Sequence, residues 1–382
     1  MPGLLKLSNQ NGLDLSTIQD KVNKMQLDML RSGTEITPND FKSLKMIGKG
    51  GYGKVFQVRK LSGADKGKIY AMKAVLKSKV KRHSEDINHI IAEKNILKEM
   101  DCPFIVQLHY SFQTEEKLYL VMELLRGGDL FFHMEKSGTF SEPVAQFYLA
   151  EIVLALEHLH THNVVYRDLK PDNIVLDHYG HVKLTDFGLC KPNLVGDELT
   201  HTFCGTVEYM APETIRKKGH GKSVDFWSLG IMMYDMLHGN VPFHGATRRE
   251  LLENILKEKL PMSKVITEEA KDLLRRLLTR NVKKRITCEE IKSHSFFETV
   301  DWNKMLALEM QPPFVPTFRS DEDVSYFMKE FTDQPIEKED FQPVSESEDE
   351  NVFAGFSYTS PLHMSANLSK YEQNSEDREN LS

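Results

Sequence analysis

At Gly127-Gly128 the hydrophobic pattern of the chain changes period. Upstream, apolar residues alternate as they do in strands: Phe41 to Ile47, then a glycine-rich break, Val55 to Arg59, a turn at Ser62-Gly63, and Ile69 to Val75. Two further strand patterns run from Val106 to Gln113 and from Lys117 to Leu124. A single helix-spaced stretch, carrying Ile87, Ile90, Ile91 and Leu97, lies among them and ends before Cys102-Pro103. Downstream, Val144 to Leu159, Val224 to Leu237, Arg249 to Leu256 and Glu268 to Leu278 all read as helices. The pattern predicts an α+β chain in which a small antiparallel-sheet lobe precedes a larger, mainly helical one.

The flanks read differently. Residues 1–40 are polar, with Gly12, Gly33 and Pro38, and are expected to be a flexible lead-in. Past Phe297 a proline cluster, Pro312-Pro313-Phe314-Val315-Pro316, opens an extended tail over 298–368 without a core of its own, and 369–382 reads as a disordered terminus. The body is expected to span 41–297. At 382 residues the chain is too long for a disulfide-stapled miniprotein, and Cys102, Cys190, Cys204 and Cys288 match no zinc-finger or disulfide spacing, so they read as reduced thiols. No apolar run reaches the length of a membrane span, which predicts no membrane insertion. The short apolar start is not a secretory signal, so the expected location is cytoplasmic and also nuclear. The net charge of −7 gathers in the tail, and no basic stripe suits nucleic acid.

Gly48-Lys49-Gly50-Gly51-Tyr52-Gly53-Lys54-Val55, preceded by Ile47, puts glycine where backbone N–H groups could approach phosphate with no side chain intervening. Alone it admits three readings: a ligand-free hairpin, a dinucleotide-binding turn, or a hairpin over nucleotide phosphates. The dinucleotide turn needs these glycines to open a helix, whereas Lys54 to Val58 alternates like a strand. The phosphate hairpin fits better. Lys73 follows in the next strand, and Glu93 on the helix is placed to fix the position and charge of its ammonium.

The strongest signal is Tyr166-Arg167-Asp168-Leu169-Lys170-Pro171-Asp172-Asn173 followed by Asp186-Phe187-Gly188. Phosphoryl transfer from a nucleotide needs a group to orient the attacking hydroxyl, ligands for magnesium, and cations to spread developing charge. Asp168 is the candidate for the first role and Lys170 for the last, with Asn173 and Asp186 as Mg2+ ligands. Ala211-Pro212-Glu213 comes later, and Arg285 is placed to pair with Glu213.

With these motifs in this order, residues from about Phe41 to Phe297 resemble eukaryotic protein kinases. Tyr166, where histidine is commoner, is usual in the AGC group. The resemblance implies the two-lobed protein kinase fold, ATP and Mg2+ as cofactors, and adenine meeting backbone near Glu123 to Leu125. Lys170 is the residue that serine/threonine kinases carry at that position. Asp129, Asp172 and Asp235 match carboxylates that bind substrate arginine in basic-directed relatives, so protein substrates with basic residues before the target are expected. A pseudokinase scaffold is the alternative, and the intact Lys73, Asp168, Asn173 and Asp186 argue against it.

Thr200 to Thr206 resembles the AGC activation loop, making Thr202 the expected acceptor for an upstream phosphoinositide-dependent kinase, with His89, Arg167 and Lys191 gathering its phosphate. Phe353-Ala354-Gly355-Phe356-Ser357-Tyr358 has the pattern of the AGC hydrophobic motif. Burying two phenylalanines does not by itself offset the ordering of six residues, so docking is expected only when Ser357 is phosphorylated. The glycine loop, catalytic segment and activation loop are most similar to those of the ribosomal protein S6 kinases, implying a monomer in growth and nutrient signalling under the target-of-rapamycin complex. Two features depart from that family: no Ser/Thr-Pro turn site lies between Thr332 and Ser345, and the chain stops soon after the motif. Ser345 and Ser347, in an acidic run, are further candidate phosphosites. His158, His160 and His162 are not expected to bind metal, and Met232, Met233 and Met236 are expected to be core.

Overall fold

The computed structural model describes residues 36–51, 53–82, 84–196, 198–337 and 352–363. Tyr52, most of the N-terminal lead-in, Ser345, Ser347 and the terminus from 369 lie outside them. The described residues divide into two compact units, one from the residues up to 101, 107–124 and 318 onward, the other from 102–106 and 125–317.

The first unit is built on an antiparallel sheet of β1 (Phe41–Lys49), β2 (Gly53–Lys60), β3 (Ile69–Leu76), β4 (Leu108–Gln113) and β5 (Lys117–Glu123). Their order is β1-β2-β3-β5-β4, and the tail adds a short strand, Tyr358–Thr359, at the β4 edge. The alternation read from the sequence puts Phe41, Met46, Phe56, Val58, Met72, Phe112 and Tyr119 into one core, against which Phe331 and Ile336 of the tail pack. The tail thus borrows a core. A four-residue helix α1 (Lys77–Val80) and the longer α2 (Ser84–Glu99) follow β3, and α2 buries Ile90, Glu93, Ile96 and Leu97.

The second unit is mainly helical. Asp129 caps α3 (Leu130–Ser137) by accepting the Phe132 N–H, and α4 (Glu142–Thr161) opens with Pro143 in its first turn. The hairpin β6 (Ile174–Leu176) and β7 (Val182–Leu184) precedes α5 (Ser223–His238), α6 (Arg248–Lys257) and α7 (Glu268–Leu277). Met232, Met233 and Met236 of α5 are fully buried. Among the described residues no helix is long and apolar enough to cross a membrane.

Candidate active site

In the first unit the glycine hairpin is the β1–β2 turn, with Gly48 opposite Val55 and Lys49 opposite Lys54. The Gly50 N–H donates to the Gly53 carbonyl at 2.9 Å. These glycines have different reasons. A Cβ on Gly53 would lie 1.9 Å from the Ala74 carbonyl oxygen, so the sheet itself demands glycine there. A Cβ on Gly50 or Gly51 would meet nothing within 4 Å, so packing does not demand glycine at the tip. What their bareness provides is open backbone, the surface a phosphate needs. Ile47 is buried and Lys49 exposed, whereas the Lys54 ammonium pairs with Glu337 of the tail at 3.3 Å.

Lys73 lies in the middle of β3, opposite Val55 and Leu120, and its Nζ meets the Glu93 carboxylate at 2.7 Å. The Glu93 side chain is 3% exposed and that of Lys73 22%, so the carboxylate holds a partly open ammonium from the buried side. Glu123, at the end of β5, accepts the Gln107 N–H and donates its own N–H to the Gln107 carbonyl. Leu125 is buried in the second unit.

In the second unit the catalytic segment hangs from a residue that motif reading missed. Asp225, fully buried near the start of α5, accepts the Tyr166 N–H at 3.0 Å, the Arg167 N–H at 2.8 Å and a bond from His160 Nε2 at 2.7 Å. These bonds hold Arg167 at a φ of 70°, a left-handed conformation unusual for a residue with a long side chain. An acid among Val224, Phe226 and Trp227 of an apolar helix was the available signal, because a buried carboxylate needs donors. His160 serves this anchor.

The Asp168 carboxylate is gripped at both oxygens. Its Oδ1 accepts the Thr206 N–H and hydroxyl, each at 3.2 Å, and its Oδ2 accepts Asn173 Nδ2 at 2.9 Å. Lys170 Nζ lies 3.6 Å from Oδ2 and donates to the Thr206 hydroxyl at 3.1 Å. Asn173 Nδ2 also donates to the Asp168 carbonyl at 2.9 Å, so both amide hydrogens are committed and Oδ1 is left as an oxygen donor. The Asn173 carbonyl accepts both the N–H and the hydroxyl of Thr185, which sets Asp186 beside it. Asp186 has a φ of 50°. An amide oxygen and a carboxylate fit Mg2+, which takes few protein ligands and fills its shell from phosphates and water. No group of three His, Cys, Asp or Glu able to hold a metal occurs among the described residues.

The activation segment packs on the same unit. Arg167 is buried, donates Nε to the Leu189 carbonyl at 2.6 Å and reaches the Thr200 hydroxyl at 3.5 Å. Lys191 is bridged to Val165 through both backbone bonds, with its side chain exposed, and Thr202 is exposed. His89 belongs to α2 of the first unit. The expected pairing of Arg285 with Glu213 is present as a buried bidentate bridge at 2.6 and 2.9 Å.

Three acids share one neighbourhood. Asp235 accepts the Tyr209 hydroxyl at 3.0 Å, and its carboxyl is pushed up by burial. Burial also raises Asp129, and the Asp172 charge adds to it. Tyr209 is raised by burial, by Asp235 and by Asp172. A cation beside Asp129 and Asp172 would offset the repulsion that Asp129 feels.

The hydrophobic motif is docked on the small sheet of the first unit. Phe353 and Phe356 are each 2% exposed. Polar bonds add to that burial. Ser111 Oγ donates to the Phe356 carbonyl at 2.6 Å, Gln113 to that of Phe353 at 3.1 Å and Lys94 to that of Gly355 at 3.0 Å. Tyr358 and Thr359 then pair with Ser111 and Tyr110 of β4, and His363 stacks on Tyr110 with its Nε2 2.9 Å from His109 Nδ1.

Comparison with known proteins gives concordant matches. The family model described as protein kinase domain matches residues 41–297, and that described as protein kinase C terminal domain matches 319–358. The chain is 51% identical over 331 residues to ribosomal protein S6 kinase beta of Caenorhabditis elegans, covering 85% of this chain and 60% of that one. It is 47% identical over 327 residues to ribosomal protein S6 kinase alpha-3 of Homo sapiens, covering 84% of this chain and 44% of the relative. The chain therefore spans between about two fifths and three fifths of the length of these curated relatives.

Proposed function

Because the chain belongs to the protein kinase family, in its AGC group of serine/threonine kinases, we propose that it transfers the γ-phosphoryl group of ATP to serine and threonine hydroxyls of proteins, preferring arginine before the target. The observation that carries this is the grip on Asp168, which fixes its carboxylate with Thr206 on one oxygen and Asn173 on the other. Such a carboxylate can orient an incoming hydroxyl and take its proton as the oxygen attacks phosphorus. Lys170, beside it, offsets charge on the moving phosphoryl group. Lys73, held by Glu93, would bind the α and β phosphates, and the open backbone of Gly50 and Gly51 would cover them. Asn173 Oδ1 and the Asp186 carboxylate would hold Mg2+. When bound, the metal supplies positive charge against the phosphates.

Asp129, Asp172 and Asp235 give the site its preference for arginine, since a guanidinium would pair with these acids and offset the burial that raises Asp129 and Asp235. Thr202 and Ser357 are read as regulatory phosphosites, with a phosphoinositide-dependent kinase and the target-of-rapamycin complex upstream, by analogy with the S6 kinases. Arg167, from the catalytic segment, bonds the Leu189 carbonyl, and Lys191 is bridged to Val165, so both are tied to the start of the activation segment that carries Thr202. A degenerate serine/threonine peptide library, incubated with ATP and Mg2+ and protein phosphorylated at Thr202, tests the reading. Selection of arginine before the acceptor is expected; transfer without basic selection would remove the substrate preference, and no transfer would remove the function.

A further inference from the structure

The four-residue helix α1 has a partner at each of two lysines. Val80, 1% exposed, anchors it, and the Lys81 N–H closes its turn on the Lys77 carbonyl at 2.8 Å. The Lys77 ammonium lies 5.4 Å from the ring centroid of Phe353, the first phenylalanine of the docked tail, and its backbone N–H bonds the Glu116 carbonyl. Two residues on, Lys79 Nζ donates to the Gly51 carbonyl at 3.0 Å, at the tip of the glycine hairpin. That tip is not wedged by packing, because a side chain at Gly50 or Gly51 would meet open space. An ammonium on a glycine carbonyl therefore selects one conformation of a segment that would otherwise sample many.

We propose that Lys79 is a positioning residue that carries tail docking to the glycine hairpin, so that nucleotide affinity rises when Phe353 is seated beneath Lys77. The inference rests on the reading of the hairpin as the ATP phosphate cover. With Phe353 seated, Lys77 is held and α1 with it, and Lys79 projects from a fixed base. Ordering the hairpin in advance lowers the conformational cost of binding. Because the hairpin grips phosphates in the bound substrate and in the transition state alike, the effect falls on KM for ATP rather than on kcat.

Steady-state kinetics on the full chain, with Lys79→Met, Lys79→Arg, Phe353→Ala and the Lys79→Met/Phe353→Ala double variant, tests this. Loss of one charged hydrogen bond predicts a rise in KM for ATP of about threefold to tenfold for Lys79→Met, with kcat within about twofold of wild type. Lys79→Arg, which keeps a donor, restores KM. The double variant has the KM of Phe353→Ala alone, since both changes cut the same link. Multiplying effects in the double variant, an unchanged KM, or an equal loss in kcat would overturn the proposal. Amide hydrogen exchange over 48–54 in nucleotide-free protein separates this link from the kinase reading. Faster exchange in Lys79→Met supports it even if no phosphate transfer were detected, and unchanged exchange overturns it even if transfer is normal.

Discussion

Thr206 reaches the Asp168 carboxylate twice, with its N–H and its hydroxyl at 3.2 Å, and the same hydroxyl accepts the Lys170 ammonium at 3.1 Å. One threonine from the activation segment therefore sets the spacing of the proposed base and its neighbouring cation. Thr206→Val, which keeps the shape and removes the hydroxyl, should lower kcat by about tenfold to a hundredfold through misplacement of these groups. Thr206→Ser should recover most of it. KM for ATP, measured alongside, should stay near wild type; equal kcat in the valine variant would contradict the assignment.

The Arg285–Glu213 bridge is a stability element. Its arginine side chain is fully buried and its glutamate nearly so, and Arg285 also bonds the carbonyls of Thr279 and Ser223. Arg285→Ala leaves a buried carboxylate unpaired and should cost about 3 to 5 kcal/mol, read as a lowered midpoint in chemical unfolding. Lysine cannot reproduce the planar fork, so Arg285→Lys should recover only part of the loss.

A pH dependence follows from His220, whose backbone pairs with Thr200 and whose imidazole is pulled from the ordinary 6.5 down to about 4, first by burial and then by the Arg167 charge. Between those values the unfolded chain binds the proton and the folded one does not, so stability is full above about pH 6.5 and falls as pH drops toward 4. The contribution lost is on the order of 2 to 3 kcal/mol. Thermal unfolding from about pH 7.5 to 4.5 should show a shallower decline for His220→Gln than for wild type. Parallel curves would rule out this histidine as the source.

Tail docking gives a third structural test. The Ser360 N–H donates to the His109 carbonyl at 2.8 Å and reports directly on the docked strand. Ser357 is exposed in the docked tail, so Ser357→Ala should keep that amide protected against hydrogen exchange. Phe356→Ala, removing a core-grade contact that costs about 3 to 5 kcal/mol to truncate, should release it. Loss of protection in Ser357→Ala would mean that docking depends on the phosphate after all.

How much of this was readable from the chain depends on whether a role is local. Lys73 and Glu93, each an ordinary surface residue when read alone, become legible through the motifs around them, and they meet at 2.7 Å. The alternation of β1 to β5 and the helical spacing of α4 to α7 were legible because each face's burial is written in its own periodicity. Thr206 and Asp225 were not, since their parts are played against segments 38 and 59 residues away, through backbone N–H groups that every residue carries. The bonds of the docked tail were not legible, because its strand pairing and its bonds to Ser111, Gln113 and Lys94 join segments far apart in the chain. Lys79 left no trace in the sequence, where it is one lysine among several near α1.

The central claim is that Asp168, oriented by Thr206 and Asn173, serves phosphoryl transfer to a protein hydroxyl. Its most direct measurement is incorporation of label from ATP radiolabelled at the γ phosphate into an arginine-containing serine peptide, comparing wild type with Asp168→Asn, both phosphorylated at Thr202. The asparagine keeps the size but cannot take the proton, so incorporation should fall by at least about a hundredfold, with label in the wild-type reaction recovered on serine. Equal incorporation by the two proteins, or none by the wild type, would contradict the account.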